Sequence, residues 1–243
     1  ADEPVTGWVL VGAAALGVEL TDAQLAQFRS YHGLIVQWND QANLVSTHDW
    51  ETVRSRHILD SLTVALAVPP PLESRSALDI GSGAGFPGMA LKIAFPELRI
   101  TLLEATAKKT AFLDHVAATL GLGDVDVLTG RAEDLAHDDR YRGRFGLVLA
   151  RAVARMAALA ELTLPFCEPQ GLVVAQKGAR HAEETAEATT AIASMGGALL
   201  EARAVPGFPD QRAILVVLQK VGPTPETYPR RPGIPSKQPI LAP

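Results

Sequence analysis

The stretch that most constrains this chain is Ser76–Ala90, which reads Ser-Ala-Leu-Asp-Ile-Gly-Ser-Gly-Ala-Gly-Phe-Pro-Gly-Met-Ala. A short apolar run ends at Asp79. Alternate glycines follow at Gly81, Gly83 and Gly85, and then an apolar segment of helical character. The pattern predicts a strand, a tight turn and a helix start. Glycines let the backbone turn sharply and let a ligand approach closely. A helix start offers N–H groups with no partner inside the helix. A nucleotide-type ligand is therefore expected at the turn, and the glycines alone leave its identity open.

Before this stretch the chain reads helical. Thr21 with Gln24 forms a potential capping box, followed by Leu25, Phe28, Tyr31, Ile35 and Trp38 on one apolar face. Residues 39–46 read as a polar break. A second helix is predicted from about Asp49 to Val68, with Val53, Ile58, Leu62 and Leu66 inward, stopped by Pro69-Pro70-Pro71. From Ser76 onward strands alternate with helices. Strands are predicted at Ala77–Ile80, Ile100–Leu103, Val125–Leu128, Leu147–Ala150, Leu172–Gln176, Ala198–Val205 and Arg212–Leu218. Helices are predicted at Gly88–Phe95, Lys108–Leu120, Met156–Phe166 and Ala179–Met195. Such alternation implies a mostly parallel sheet covered on both faces. The last two strands are too close to enclose a crossover helix, so they are expected as an antiparallel hairpin at one edge. By fold-level analogy this is the α/β arrangement of class I S-adenosylmethionine methyltransferases, a seven-stranded Rossmann-like sheet. Three regions are expected: an N-terminal helical extension over 1–71, the main domain over 72–221, and a Pro-rich basic tail over 222–243 without regular structure.

Composition narrows the partners. The formal net charge is -5 over 243 residues, so any nucleic-acid contact must rest on local patches. The single cysteine, Cys167, excludes a disulfide framework and a Cys-based zinc site, and no other metal site is expected. The start carries Asp2 and Glu3 rather than a basic region, and the apolar stretch Val5–Val18 is broken by glycines. Neither a secretory signal nor a membrane span is expected, and the single cysteine fits a reducing cytoplasm.

Two cofactors compete for the turn. G-x-G-x-x-G is matched literally at Gly83, Gly85 and Gly88, which would suit a dinucleotide. Asp79 argues the other way. A carboxylate at the strand end repels pyrophosphate and suits the ammonium and sulfonium of S-adenosylmethionine. Asp79 with Gly81, Ser82 and Gly83 would hold the methionine end. Glu104 closes the second strand, near the spacing of about 20 residues expected of a ribose-binding acid. Ala132 and Glu133, after the third strand, are candidates for the adenine edge.

On the acceptor side the fourth strand runs into Ala150-Arg151-Ala152-Val153. It lacks the Asn/Asp-Pro-Pro-aromatic run that holds an exocyclic amine in amino-methylating enzymes. Cys167, at the end of an apolar helix, reads as core rather than as the nucleophile that pyrimidine C5 methylation needs. Guanine N7 needs neither device, because its lone pair is free and no proton must leave. Arg151 would bind guanine O6 or a phosphate. Further basic groupings are Arg54, Arg56 and His57 on the second helix, Lys108 and Lys109 after Glu104, and Arg230, Arg231 and Lys237 in the tail.

Several stretches together resemble the bacterial small-subunit (16S) ribosomal RNA guanine-N7 methyltransferase G family, also called glucose-inhibited division protein B. They are Trp38-Asn39 with Asn43-Leu44, Arg56-His57-Ile58-Leu59-Asp60-Ser61, the glycine stretch Asp79–Gly88, Gly130-Arg131-Ala132-Glu133, Ala150–Val153, Lys177-Gly178, and the tail Tyr228–Lys237. The resemblance implies cofactor contacts at Gly81, Phe86, Ala132, Glu133 and Arg151. It also implies a substrate of small-subunit ribosomal RNA, free or in a ribosomal particle, and a monomer. In this reading Arg151, Arg56 and His57 position the guanine, and the tail and Lys108-Lys109 touch RNA. Ala105-Thr106 after Glu104 departs from the serine expected there. The alternatives are a small-molecule methyltransferase, a dinucleotide oxidoreductase, and a non-catalytic ribosome-assembly binder.

Overall fold

The computed structural model describes residues 3–205 and 214–242, with side chains from Val9 onward. Seven strands form one sheet: β1 (Ser76–Ile80), β2 (Arg99–Glu104), β3 (Val125–Thr129), β4 (Phe145–Arg151), β5 (Cys167–Lys177), β6 (Gly197–Ala204) and β7 (Ile214–Lys220). Their order is β3-β2-β1-β4-β5-β7-β6. β1 with β4, β4 with β5, and β2 with β3 pair in parallel, while β7 runs antiparallel to both β5 and β6. The edge hairpin forms as the short connection requires. Arg212, expected as the start of the last strand, lies outside the described residues. The chain groups into two compact units, one of residues 1–74 with 82–129 and one of 75–81 with 130–243.

In the first unit, α1 (Glu3–Ala15) leads to α2 (Asp22–Ala42). The capping box at Thr21 and Gln24 is present, and Leu25, Phe28, Tyr31 and Ile35 are buried. The helix outlasts its expected end, running through the start of the predicted break at residue 39 to Ala42. Asn39 Oδ1 accepts from the N–H groups of Leu44 and Val45, and Asn43 closes the helix in the left-handed region. The second predicted helix is irregular. One turn, α3 (Trp50–Thr52), runs into a π-helix over Val53–Leu59, then α4 (Asp60–Leu62) and a 3-10 turn to Leu66. Val53, Ile58 and Leu62 are buried as expected, while Leu66 is only half-buried. The unit is completed by α5 (Gly88–Ala94) and α6 (Ala107–Leu120), both packed against α2.

In the second unit, β4 and β7 are almost wholly apolar and buried, as are the inner residues of β1 and β5. They are accompanied by α7 (Ala132–Leu135), α8 (Met156–Thr163), α9 (His181–Glu187) and α10 (Thr189–Ser194). The tail corrects the expectation of an irregular segment. It contains a short helix, α11 (Ile234–Lys237), seated against α8. Among the described residues, no helix is long and apolar enough to cross a membrane.

Candidate functional site

The glycine turn takes the conformation its sequence predicts. Gly81, Gly83 and Gly85 have φ of 67°, 57° and 95°, values that L side chains seldom adopt. In the second unit, Asp79 is fully buried near the carboxyl end of β1. A Cβ built on Gly81 would lie 3.1 Å from Val153 Cγ2. The turn and the segment after β4 therefore pack backbone to side chain.

In the first unit, Ser82 N–H donates to Leu103 O at 3.1 Å and Gly83 N–H to Glu104 Oε2 at 3.1 Å. The other oxygen of Glu104 accepts from Thr106 N–H at 2.9 Å. One buried carboxylate thus ties the glycine turn to the turn after β2. Each of its oxygens keeps a lone pair for a hydroxyl donor. The unusual Ala105-Thr106 pair is accommodated here, because the backbone of Thr106 supplies the bond. Tyr31 donates its hydroxyl to Ala84 O, a contact that the helical pattern alone did not signal. Tyr31 is also the reason Gly85 has no substitute: a Cβ there would sit 2.6 Å from Tyr31 Oη and 2.9 Å from Met89 Cβ. Phe86, also in the turn, is stacked on His57 with centroids 5.0 Å apart and planes at 20°. The π-helix thereby seats His57 on the glycine turn and leaves Arg56 exposed beside it. Lys108 is exposed and Lys109 half-buried in the first turn of α6.

Six more candidates lie in the second unit. Ala132 and Glu133 open α7, so their N–H groups have no partner within the helix. Arg151 ends β4, half-buried, and is followed by Ala152 at φ 56°. The tail cations divide between one engaged within the protein and others left exposed. The Arg230 guanidinium, expected at RNA, is committed to Glu161, a fully buried acid on α8, through Nε at 3.0 Å and Nη2 at 2.7 Å. The backbone N–H of Arg230 donates to the same carboxylate at 2.7 Å. The hydrogen bond to Glu161 raises the Arg230 pKa further above its ordinary value. Glu133 Oε1 accepts from Gly233 N–H at 2.9 Å, so one of its oxygens holds the tail rather than a base edge. Arg142 donates to Tyr228 O, Thr224 O and Pro225 O, fixing the approach to this segment. A hollow of about 460 Å³ lies between α7 and the tail, lined by Glu133, Asp134, His137, Arg230 and Arg231. Arg231 and Lys237 stay exposed.

Cys167 is buried, and burial pushes its thiol up to about 12. A thiol so reluctant to ionise is no nucleophile. Among the described residues, no cluster of three His, Cys, Asp or Glu is placed to hold a metal ion.

Comparison with known proteins gives a consistent picture. The family described as rRNA small subunit methyltransferase G (GidB) matches residues 24–213. A protein named ribosomal RNA small subunit methyltransferase G, from Dehalococcoides mccartyi (strain CBDB1), is 45% identical over 235 residues, covering 96% of this chain and 99% of its own. One of the same name from Roseiflexus sp. (strain RS-1) is 45% identical over 230 residues, covering 94% of this chain and 97% of its own. Among solved structures, an O-methyltransferase from Bacillus cereus in complex with SAH aligns with a TM-score of 0.55 at 18% identity, over 79% of this chain and 91% of that one. A putative methyltransferase complexed with the Haloferax volcanii Trm112 activator gives 0.56 at 15% identity, over 79% and 98%. These two likenesses carry the fold, a class I methyltransferase sheet.

Proposed function

This chain belongs to the rRNA small subunit methyltransferase G family, and on that premise we propose that it methylates N7 of a guanine in small-subunit ribosomal RNA. The methyl donor is S-adenosylmethionine, whose sulfonium supplies the electrophilic methyl when bound. The dinucleotide alternative goes with the family match. The observation that carries the site assignment is Asp79, a buried carboxylate one residue before a turn with glycines at positive φ. A carboxylate attracts the donor's ammonium, and a turn without Cβ atoms admits its methionine end.

The remaining roles follow from position. Gly81, Ser82, Gly83 and Phe86 line the turn, and Glu104 offers its spare lone pairs to the ribose hydroxyls. Ala132 and Glu133 present free helix-start N–H groups to the adenine edge. Arg151, at the carboxyl end of β4, where open α/β sheets receive ligands, donates to guanine O6 or a phosphate. Arg56 and His57 add a cation and a flat ring beside Phe86. N7 loses no proton on methylation, so these residues act by alignment rather than as a general base. Lys108, Lys109, Arg231 and Lys237 supply phosphate contacts. Arg230 acts on RNA only through the tail it anchors. On this reading the enzyme works as a monomer in the cytoplasm, on ribosomal RNA or an assembled particle.

The test is direct. Purified protein with labelled S-adenosylmethionine is incubated with small-subunit RNA, and with 30S particles, from a strain lacking the enzyme. Borohydride–aniline cleavage then maps N7-methylguanine. A single new cleavage site is expected. Methyl incorporation without any such cleavage would remove N7 from the reading, and no incorporation into RNA would remove the substrate class.

A further inference from the structure

The segment that follows Arg151 leaves β4 in an unfavourable conformation. Ala152, which carries a Cβ, sits at φ 56°, a region L residues avoid. Something must hold the chain there. The structure shows a grip on the far side of the turn. Lys177, the last residue of β5, donates from Nζ to Ala154 O at 2.9 Å. The same ammonium pairs with Glu184 Oε2 at 2.6 Å, with both side chains about nine-tenths covered. Glu184 Oε2 in turn accepts from Met156 N–H at 3.3 Å, the first N–H of α8. One ion pair therefore grips the turn by the carbonyl of Ala154 and the amide of Met156. The side chain of Arg155, between them, forms an exposed pair with Glu187. Upstream, Val153 rests against the Gly81 turn. The four residues Arg151–Ala154 are thus fixed at one end by β4 and at the other by Lys177–Glu184.

We infer that Lys177 and Glu184 are positioning residues for methyl transfer, holding the turn that aims Arg151 at the acceptor base. The inference rests on the functional reading above. Neither side chain touches a reacting atom in this scheme. They act through the backbone of Ala154 and Met156. A displacement of about 1 Å in a positioning element can lower turnover on the order of 100-fold. A loosened turn should therefore slow alignment while leaving the Glu104 contacts, made elsewhere in the chain, as they were.

The experiment compares wild type, Glu184→Gln, and the double variant Lys177→Met/Glu184→Leu. The first keeps an oxygen for Met156 N–H but removes the charge. The second replaces the pair with apolar side chains of similar volume, which buried pairs generally tolerate. Each protein is assayed for kcat and for KM of S-adenosylmethionine with ribosomal RNA, and for its melting temperature. The expected result is a kcat lower by at least 20-fold in both variants, with KM for the donor within threefold and the assay well below melting. A kcat within twofold of wild type in either folded variant overturns the inference. So does a parallel loss of donor binding, or failure of both variants to fold, since the pair would then serve stability alone. If the wild-type protein leaves no methyl in RNA, the functional reading itself fails, an outcome distinct from all of these.

Discussion

Arg230 separates two views of the tail, and replacing it with methionine distinguishes them. In the sequence the residue belongs to a basic, proline-rich segment suited to RNA phosphates. In the structure its guanidinium is spent on Glu161, whose side chain is 1% exposed against 28% for Arg230. Removing the guanidinium leaves a buried carboxylate with one remaining bond, from the Arg230 N–H. Breaking one side of a buried pair costs roughly 3–5 kcal/mol. The surviving backbone bond and the partly open arginine put this case at the lower end, about 3 kcal/mol. For a chain of this size that corresponds to a fall in melting temperature of about 6–12 °C. The companion variant Arg230→Met/Glu161→Leu removes the carboxylate as well and should recover most of the loss. Urea and thermal unfolding measure both. Arg231→Ala, at an exposed position, should leave stability unchanged and weaken RNA binding with a shallower salt dependence. A loss below about 1 kcal/mol for Arg230→Met, together with an RNA defect matching that of Arg231→Ala, would refute the reasoning and return Arg230 to the RNA surface.

Other consequences follow from single residues. Gly85→Ala places a Cβ 2.6 Å from Tyr31 Oη at φ 95°; strain and overpacking together should cost about 3–5 kcal/mol, seen as loss of soluble protein or of the cooperative unfolding transition. Cys167, with its thiol pushed up to about 12, should react with iodoacetamide at pH 8 about 1,000-fold more slowly in the native protein than in urea, following its thiolate fraction. Native-state labelling at the unfolded rate would contradict the burial. For Glu184, burial raises the pKa, but the Lys177 hydrogen bond and charge and the Met156 N–H outweigh it, leaving a net lowering from 4.5. A lowered carboxylate contributes stability that is complete above pH 4.5 and is lost as pH falls through the folded value. Glu184→Gln should therefore flatten the acid limb of the stability curve below that pH and leave its shape near pH 7 unchanged.

What could be read from the sequence divides along physical lines. Strands β1 to β5, the edge hairpin and the glycine turn were legible because each is local: apolar runs mark buried parallel strands, and a turn at positive φ requires glycine. The places of Asp79, Glu104 and Arg151 at or near strand ends were legible because each apolar run shows where its strand stops. The tail was misjudged because its order comes from acids far away in sequence. Glu161 is 69 residues from Arg230, and Glu133 is 100 residues from Gly233. Nothing in the composition of Tyr228–Lys237 reveals that two carboxylates await it. Lys177 stood out only within the Lys177-Gly178 resemblance and Glu184 not at all, for the same reason: the role inferred for them depends on the backbone of Ala154 and Met156.

The π-helix is the intermediate case, and it shows what a finer reading would have caught. The inward residues Val53, Ile58 and Leu62 are five and then four apart. An α-helix brings residues three or four apart onto one face, so a step of five asks for one wide turn. The chain supplies it at Val53–Leu59, and π-turns of this kind concentrate at functional sites. The residues inside that turn are Arg54, Arg56 and His57, the ones the sequence marks for chemistry. An α-helical register through the same residues would rotate His57 away from Phe86 or Val53 out of the core, because one face cannot serve both. The extra residue in the turn lets the helix bury its apolar side and still present His57 to the glycine turn.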